Sequence, residues 1–162
     1  MSSVSGSQQT RLIVTIYLAP MKYVVDTCIF NKLRDGKLQP SDLPSDGRLV
    51  VTHIQVDEIN NTSDKELRAR LILAFAGIAP EIVPTETFLY DVSRLDRAKM
   101  GNGEVFLAVK TALDGREKKR NNTQDALIAE VAIVNGFTLL TSDRNLADVA
   151  LGLGANIRFF DV

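Results

Sequence analysis

A short apolar run, Tyr23-Val24-Val25, stops on Asp26 and gives way at once to Thr27, after which Ile29, Phe30 and Leu33 recur at helical spacing as far as Gly36. β-Branched and aromatic residues in so short a run read as a buried strand. A strand that passes straight into a helix through an acidic residue is the leading unit of an α/β sheet, whose ligands bind beyond the carboxyl ends of the strands. Asp26 therefore stands at a strand tip. Two roles suit it there: membership of a site at the sheet edge, or the N-cap of the helix that follows.

The same unit recurs. Leu49-Val50-Val51 is a second strand, followed by Thr52 and Gln55 at the spacing of a capping box. Asp57 and Glu58 fall in the second turn of that helix. Adjacent helical residues point about 100° apart, so at most one of the two faces the sheet tip. Ser63 and Glu66 repeat the capping-box spacing ahead of a helix with Leu67, Leu71, Ala74, Phe75 and Ile78 on one side. Pro80 and Pro84 bracket an edge strand at Ile82-Val83. Thr87 to Lys99 reads as a helix with Phe88, Val92 and Leu95 inward, and Glu104 to Leu113 as another that ends at Gly115. Asn122 is placed to cap the next helix, with Asp125 at N3, an apolar side of Leu127, Ile128, Val131 and Val134, and a stop at Gly136. Phe137 to Leu140 is a strand running into Thr141-Ser142-Asp143, residues 144–152 are helical, and Ile157 to Phe160 form a last strand. Four or five short strands alternating with helices predict a three-layer α/β/α fold with a mainly parallel central sheet. The length of 162 residues suits one domain.

Ahead of this pattern lies a Ser-rich polar opening and then Leu12 to Leu18, LIVTIYL, uncharged and of high β-propensity. The run is too short to span a membrane and lacks a signal-peptide layout. It must pair as an extra strand, or pack against another surface or chain. Residues 1–20 thus read as an N-terminal extension before a domain of residues 21–162, in a cytoplasmic protein without membrane association.

Composition limits the chemistry. A net charge of −1 and a pI near 5.8 exclude a protein that coats nucleic acid nonspecifically. One cysteine, Cys28, excludes an internal disulfide and a cysteine-cluster metal site, and it reads as a small buried residue rather than a nucleophile. With one histidine, His53, any metal must be held by oxygen. The one dense basic run carries Arg116, Lys118, Lys119 and Arg120 just before Asp125, either as a solvated loop or as a phosphate contact.

The acids fall on this layout in a telling way. Asp26 and Asp143 each follow a strand, Glu58 lies on the helix after the second strand, and Asp125 lies in the first turn of a later helix. Parallel strands bring all of these to one side of the sheet. Clustered carboxylates raise one another's pKa and cannot all stay ionised alone. A hard cation such as Mg²⁺ or Mn²⁺, which prefers carboxylate and water oxygens, resolves the conflict and suits phosphodiester hydrolysis. Each acid also has a simpler role: Asp125 favouring a helix dipole, Asp143 capping its helix, Glu58 solvated.

Val24-Val25-Asp26-Thr27, Glu58-Ile59, Asp125-Ala126-Leu127-Ile128-Ala129 and Leu140-Thr141-Ser142-Asp143 resemble, in order, the acidic motifs of PIN-domain nucleases, and among them the VapC-type toxins of prokaryotic toxin–antitoxin pairs. The resemblance covers about residues 21–162. It implies that Asp26, Glu58, Asp125 and Asp143 are the metal-binding, catalytic acids, with Thr27 and Thr141 as supporting hydroxyls. It further implies a Mg²⁺- or Mn²⁺-dependent endoribonuclease acting on single-stranded or structured RNA, usually dimeric and often inhibited by a small antitoxin. Arg116, Lys118, Lys119 and Arg120 are then possible RNA contacts. Residues 1–20 have no counterpart in that family's core, and Glu130 stands where a second small residue is usual. Gly103-Glu104 resembles a Gly-Glu motif that carries a catalytic acid in some relatives; because Asp125 fills that role, Glu104 reads as a helix-start residue. A haloacid-dehalogenase-type phosphatase needs a second Asp where Cys28 stands. A response-regulator receiver needs an acidic pair at Val24-Val25 and a lysine after a later strand, which Leu140-Thr141-Ser142 does not supply. The other class of function is a PIN-like module that binds RNA or protein without cutting.

Overall fold

A computed structural model describes residues 19–162. The elements are β1 (Met21–Val25), α1 (Thr27–Arg34), β2 (Gly47–Val51), α2 (His53–Asn60), α3 (Lys65–Ile78), β3 (Glu81–Ile82), α4 (Glu104–Arg116), α5 (Asn122–Asn135), β4 (Thr138–Thr141), α6 (Arg144–Gly152) and β5 (Asn156–Phe159), with one 3-10 turn at Pro40–Asp42. The five strands form one sheet in the order β3-β2-β1-β4-β5, and every pairing is parallel. The chain thus builds outward from β1 to one edge, then returns to build β4 and β5 on the other side. β1 and β4 flank the point where the winding reverses, the crevice in which open α/β sheets bind ligands. The predicted Leu12–Leu18 strand lies outside the described residues. No helix among the described residues is long and apolar enough to cross a membrane.

The strands are short apolar runs because both of their faces are covered. Val24, Val50 and Leu139 point into one core with α4, α5 and α6; Tyr23, Val25, Val51 and Leu140 point into the other with Ile29 and Phe30 of α1 and Leu71 of α3. This is the two-residue period of a strand written into two cores. α5 is the most enclosed helix: Ala126, Leu127, Ile128, Ala129 and Ala132 are fully buried, while Val134, expected inward, is 50% exposed. Enclosure of its first three turns explains why a one-sided stripe is a poor description of it.

Three local expectations are corrected. The helix expected over Thr87 to Lys99 does not form; the segment is irregular and returns to pair with Thr85 through Thr85 N to Arg97 O and Lys99 N to Thr85 O. Short hydroxyl side chains divert its backbone: Ser93 Oγ accepts from Leu89 N and donates to Thr87 O. Leu95 is accordingly 85% exposed. The cap of α3 is Asp64, whose carboxylate accepts from Leu67 N at 2.9 Å, one residue beyond Ser63. Asn121 occupies the N-cap position of α5, so Asn122 is the first helical residue and Asp125 the fourth. The Asn122 side chain turns away and donates to Asp114 Oδ1 and Glu117 O, tying α5 to the end of α4.

Candidate active site

Asp26 follows the last residue of β1 and occupies the N-cap position of α1, yet its side chain caps nothing. Oδ2 instead accepts from Thr141 Oγ1 at 2.7 Å and from Cys28 Sγ at 2.8 Å. The same Thr141 hydroxyl accepts from Asp143 N at 3.0 Å, so one group at the tip of β4 orders both strand-end acids. Asp26 is 3% exposed. Burial raises its pKa, the Cys28 and Thr141 hydrogen bonds oppose that rise, and Asp143 adds to it. Cys28 is more than a small filler beside the strand, since its thiol donates to Asp26. In the structure its thiol also accepts from Ser142 N, and burial beside Asp26 pushes its pKa up to about 12, so it stays a thiol and donates.

Glu58 comes to the same edge on α2. Thr52 and Gln55 form the expected capping box, but Gln55 does more than cap. Fully buried, it accepts from Thr52 N at 2.9 Å and donates to Val25 O at 2.8 Å, lashing the start of α2 to the end of β1. That orientation turns Glu58 toward Thr27, whose hydroxyl donates to Glu58 Oε2, while Asp57 points to Arg94 in an ion pair. Burial raises the Glu58 pKa, with Thr27 opposing and Asp26 reinforcing.

Asp125 is the least compensated of the four. It is 8% exposed, and burial together with Asp26, Glu58 and Asp143 pushes its pKa up to about 8, relieved only by Lys119. Asp143 does cap α6, Oδ1 accepting from Leu146 N at 3.1 Å, and its other oxygen faces Lys119 Nζ at 3.6 Å. The simpler role is thus real for Asp143 and absent for Asp26.

Of the basic run, Lys119 alone reaches the acids. Arg116 pairs with Asp148 of α6 at 3.2 Å, and Lys118 and Arg120 are exposed. Glu104 begins α4, whose far end at Leu113 and Glu117 lines a small hollow with Asp125 and Asp143. Nine residues of helix place Glu104 about 14 Å from that end, which leaves it a helix-start residue.

The four acids therefore share one edge and one electrostatic field; Asp26, Glu58 and Asp143 are each held in their own hydrogen-bonded setting, and the Asp125 carboxylate is not. Among the described residues no three His, Cys, Asp or Glu side chains form a ready metal-binding group. The donor set is nonetheless oxygen-only and carries a largely buried residue, Asp125, whose carboxylate has no side-chain hydrogen bond among the described residues. That chemistry fits a hard divalent cation.

The model of the PIN domain matches residues 23–151. The chain belongs to the PIN domain family. No curated protein matches it. Among solved structures, this PIN domain is similar to VapBC2 from Rickettsia felis, crystallised with a DNA fragment from their promoter, at 16% identity over 86% of this chain and 98% of that one, with a TM-score of 0.55. It also matches a domain of a functionally unknown protein from Methanocaldococcus jannaschii, at 20% identity over 88% and 92% of the two chains, TM-score 0.46. A third match is PAE2754 from Pyrobaculum aerophilum, 19% identical over 85% and 89%, TM-score 0.49. The Rickettsia likeness supports the fold.

Proposed function

We propose that this PIN domain is a Mg²⁺- or Mn²⁺-dependent endoribonuclease, the toxin of a toxin–antitoxin pair, with Asp26, Glu58, Asp125 and Asp143 holding the cation. The observation that supports this reading is Asp125, an 8% exposed residue that lines a hollow with Asp143 and Lys119, lies in the field of Asp26, Glu58 and Asp143, and makes no side-chain hydrogen bond among the described residues. A divalent cation in such a set acidifies water and offsets charge on the leaving oxygen. The chain's own residues supply the rest. Thr141 and Cys28 fix Asp26, Thr27 fixes Glu58, and Asp143 is fixed by its cap to α6. Lys119, at the rim, offers an entering phosphodiester the positive partner that Asp143 now holds. A small antitoxin and a second copy of the chain are the protein partners that the VapC-like motifs imply.

Full-length protein incubated with single-stranded RNA cleaves it with added Mn²⁺ or Mg²⁺ and stops in EDTA. Asp26→Asn and Asp125→Asn lower the rate by orders of magnitude. Cleavage that persists in EDTA, or at wild-type rate in Asp125→Asn, refutes the reading; RNA binding without any cleavage makes the domain a binding module instead.

A further inference from the structure

Beside the acids, between α2, the segment at Asp91-Val92 and the start of α5, lies a cleft of about 230 Å³ that shares Glu58 with the site described above. That is below the ~300–1,000 Å³ of pockets that enclose a drug-sized ligand, and it suits a single planar ring. Ile54 and Val92 give it apolar walls, and Asn61, Asp91 and Gln124 give it polar ones. The Arg94–Asp57 ion pair pins the irregular segment bearing Asp91 and Val92 against α2, and so closes one side of the cleft.

Resting on the nuclease reading, we propose that this cleft is a nucleobase subsite that takes an unstacked guanine of single-stranded RNA, adjacent to the phosphodiester at the four acids. No lysine or arginine lines the cleft, so a phosphate has no partner in it. Its polar groups are weighted to acceptors. Gln124 lines the cleft, and its Oε1 lies just beneath the surface with no hydrogen-bond partner among the described residues, so a rotation of the carboxamide would bring it to a donor on a ligand. Asp91 is exposed and makes no side-chain hydrogen bond or ion pair among the described residues, whereas the other two carboxylates of the lining are already engaged, Asp57 by Arg94 and Glu58 by Thr27. Guanine presents two adjacent donors, N1–H and N2–H₂, on one edge, which match the two oxygens of a carboxylate. Adenine and cytosine present one amino group there, and uracil one N–H. Proteins that read single-stranded RNA do so by seating splayed bases between side chains and bonding their Watson–Crick edges. The shared residue Glu58 sets the distance: a base in the cleft belongs to a nucleotide next to the bond at the acids.

The test uses full-length Asp125→Asn protein, which does not cut, and fluorescent oligouridylates carrying one central G, inosine or A. Binding favours G over A by at least about fivefold, the lower end expected of one bidentate base contact. Inosine, lacking the N2 amino group, falls between. Adding Asp91→Asn brings the G-to-A ratio close to one, and Asn61→Ala reduces it. Equal affinity for the three oligonucleotides overturns the subsite, as does a G preference that survives both substitutions. Wild-type protein with Mn²⁺ and the same oligonucleotides reports separately on the nuclease: binding preference without any cleavage removes the nuclease and leaves the base site, and cleavage without base preference does the converse.

Discussion

Asp125 concentrates the tension of the site in one residue. Its folded-state pKa, about 8, lies above the ordinary carboxylate value of 3.8, so the native state holds the proton longer than the unfolded chain. The contribution of Asp125 to metal-free stability is therefore largest below pH 4 and declines as pH rises from 4 to 8. Asp125→Asn removes the charge at nearly constant shape. In EDTA at pH 8 the variant melts above the wild type, by on the order of 1 kcal/mol or more. Mg²⁺ raises the wild-type melting temperature because it binds only the native state, and it raises that of the variant less. A variant that melts below the wild type in EDTA would place Asp125 in a structural role. Lys119 bears on the same balance. Lys119→Ala weakens RNA binding and flattens its salt dependence, whereas Arg116→Ala, which loses only the Asp148 pair, leaves the slope nearly unchanged. At this scale the acids were legible because each interrupts an apolar pattern at a strand end or helix start. The Cys28 thiol and the Gln55 carboxamide were not, because their partners at Thr141 and Val25 depend on which strands become neighbours.

The elements show where pattern and tertiary context part. Periodicity located α1 to α6 and all five strands to within a few residues, since buried strands and amphipathic helices repeat at their own periods. It failed at residues 87–99, where Phe88, Val92 and Leu95 have helical spacing but hydroxyl side chains and the bridge to Thr85 hold the backbone open. That segment is anchored to α5 by Thr87 Oγ1 donating to Glu130 Oε1 at 2.8 Å, which accounts for a carboxyl group where a small residue was expected. Burial raises the Glu130 pKa above its usual 4.5. The native state thus favours its protonated form, and stability falls as pH rises from 4.5 through the raised value. Glu130→Gln keeps the acceptor for Thr87 and removes the charge, so urea unfolding at pH 5 and pH 8 finds the variant gaining on the wild type as the pH rises. α2 offers a complementary case. Gln55→Ala strands Val25 O and the Thr52 amide without their partner, destabilises the protein by about 2–4 kcal/mol, and slows cleavage at saturating RNA because Glu58 loses its brace.

For the molecule as a whole, the alternation of strands and helices was enough to name a parallel three-layer fold, but not the order β3-β2-β1-β4-β5, which is decided by pairings between distant segments. β1 starts at Met21 with its partners already in place on both sides, and no site residue precedes it. A protein lacking residues 1–20 accordingly keeps its fold and its metal-dependent cleavage, with solubility or oligomeric state as the property that changes; loss of cleavage in a folded, truncated protein would assign the extension to the site. The slot that β4 fills beside β1 has a further consequence in the time order of synthesis. Thr141 and Asp26 are 115 residues apart, and the hydroxyl that orders Asp26 leaves the ribosome long after the strand that carries its partner. A nascent chain that has not yet emitted β4 leaves β1 as a bare sheet edge and lacks Asp143 altogether. On the nuclease reading proposed above, a chain built this way carries an incomplete set of acids until its last quarter has been made.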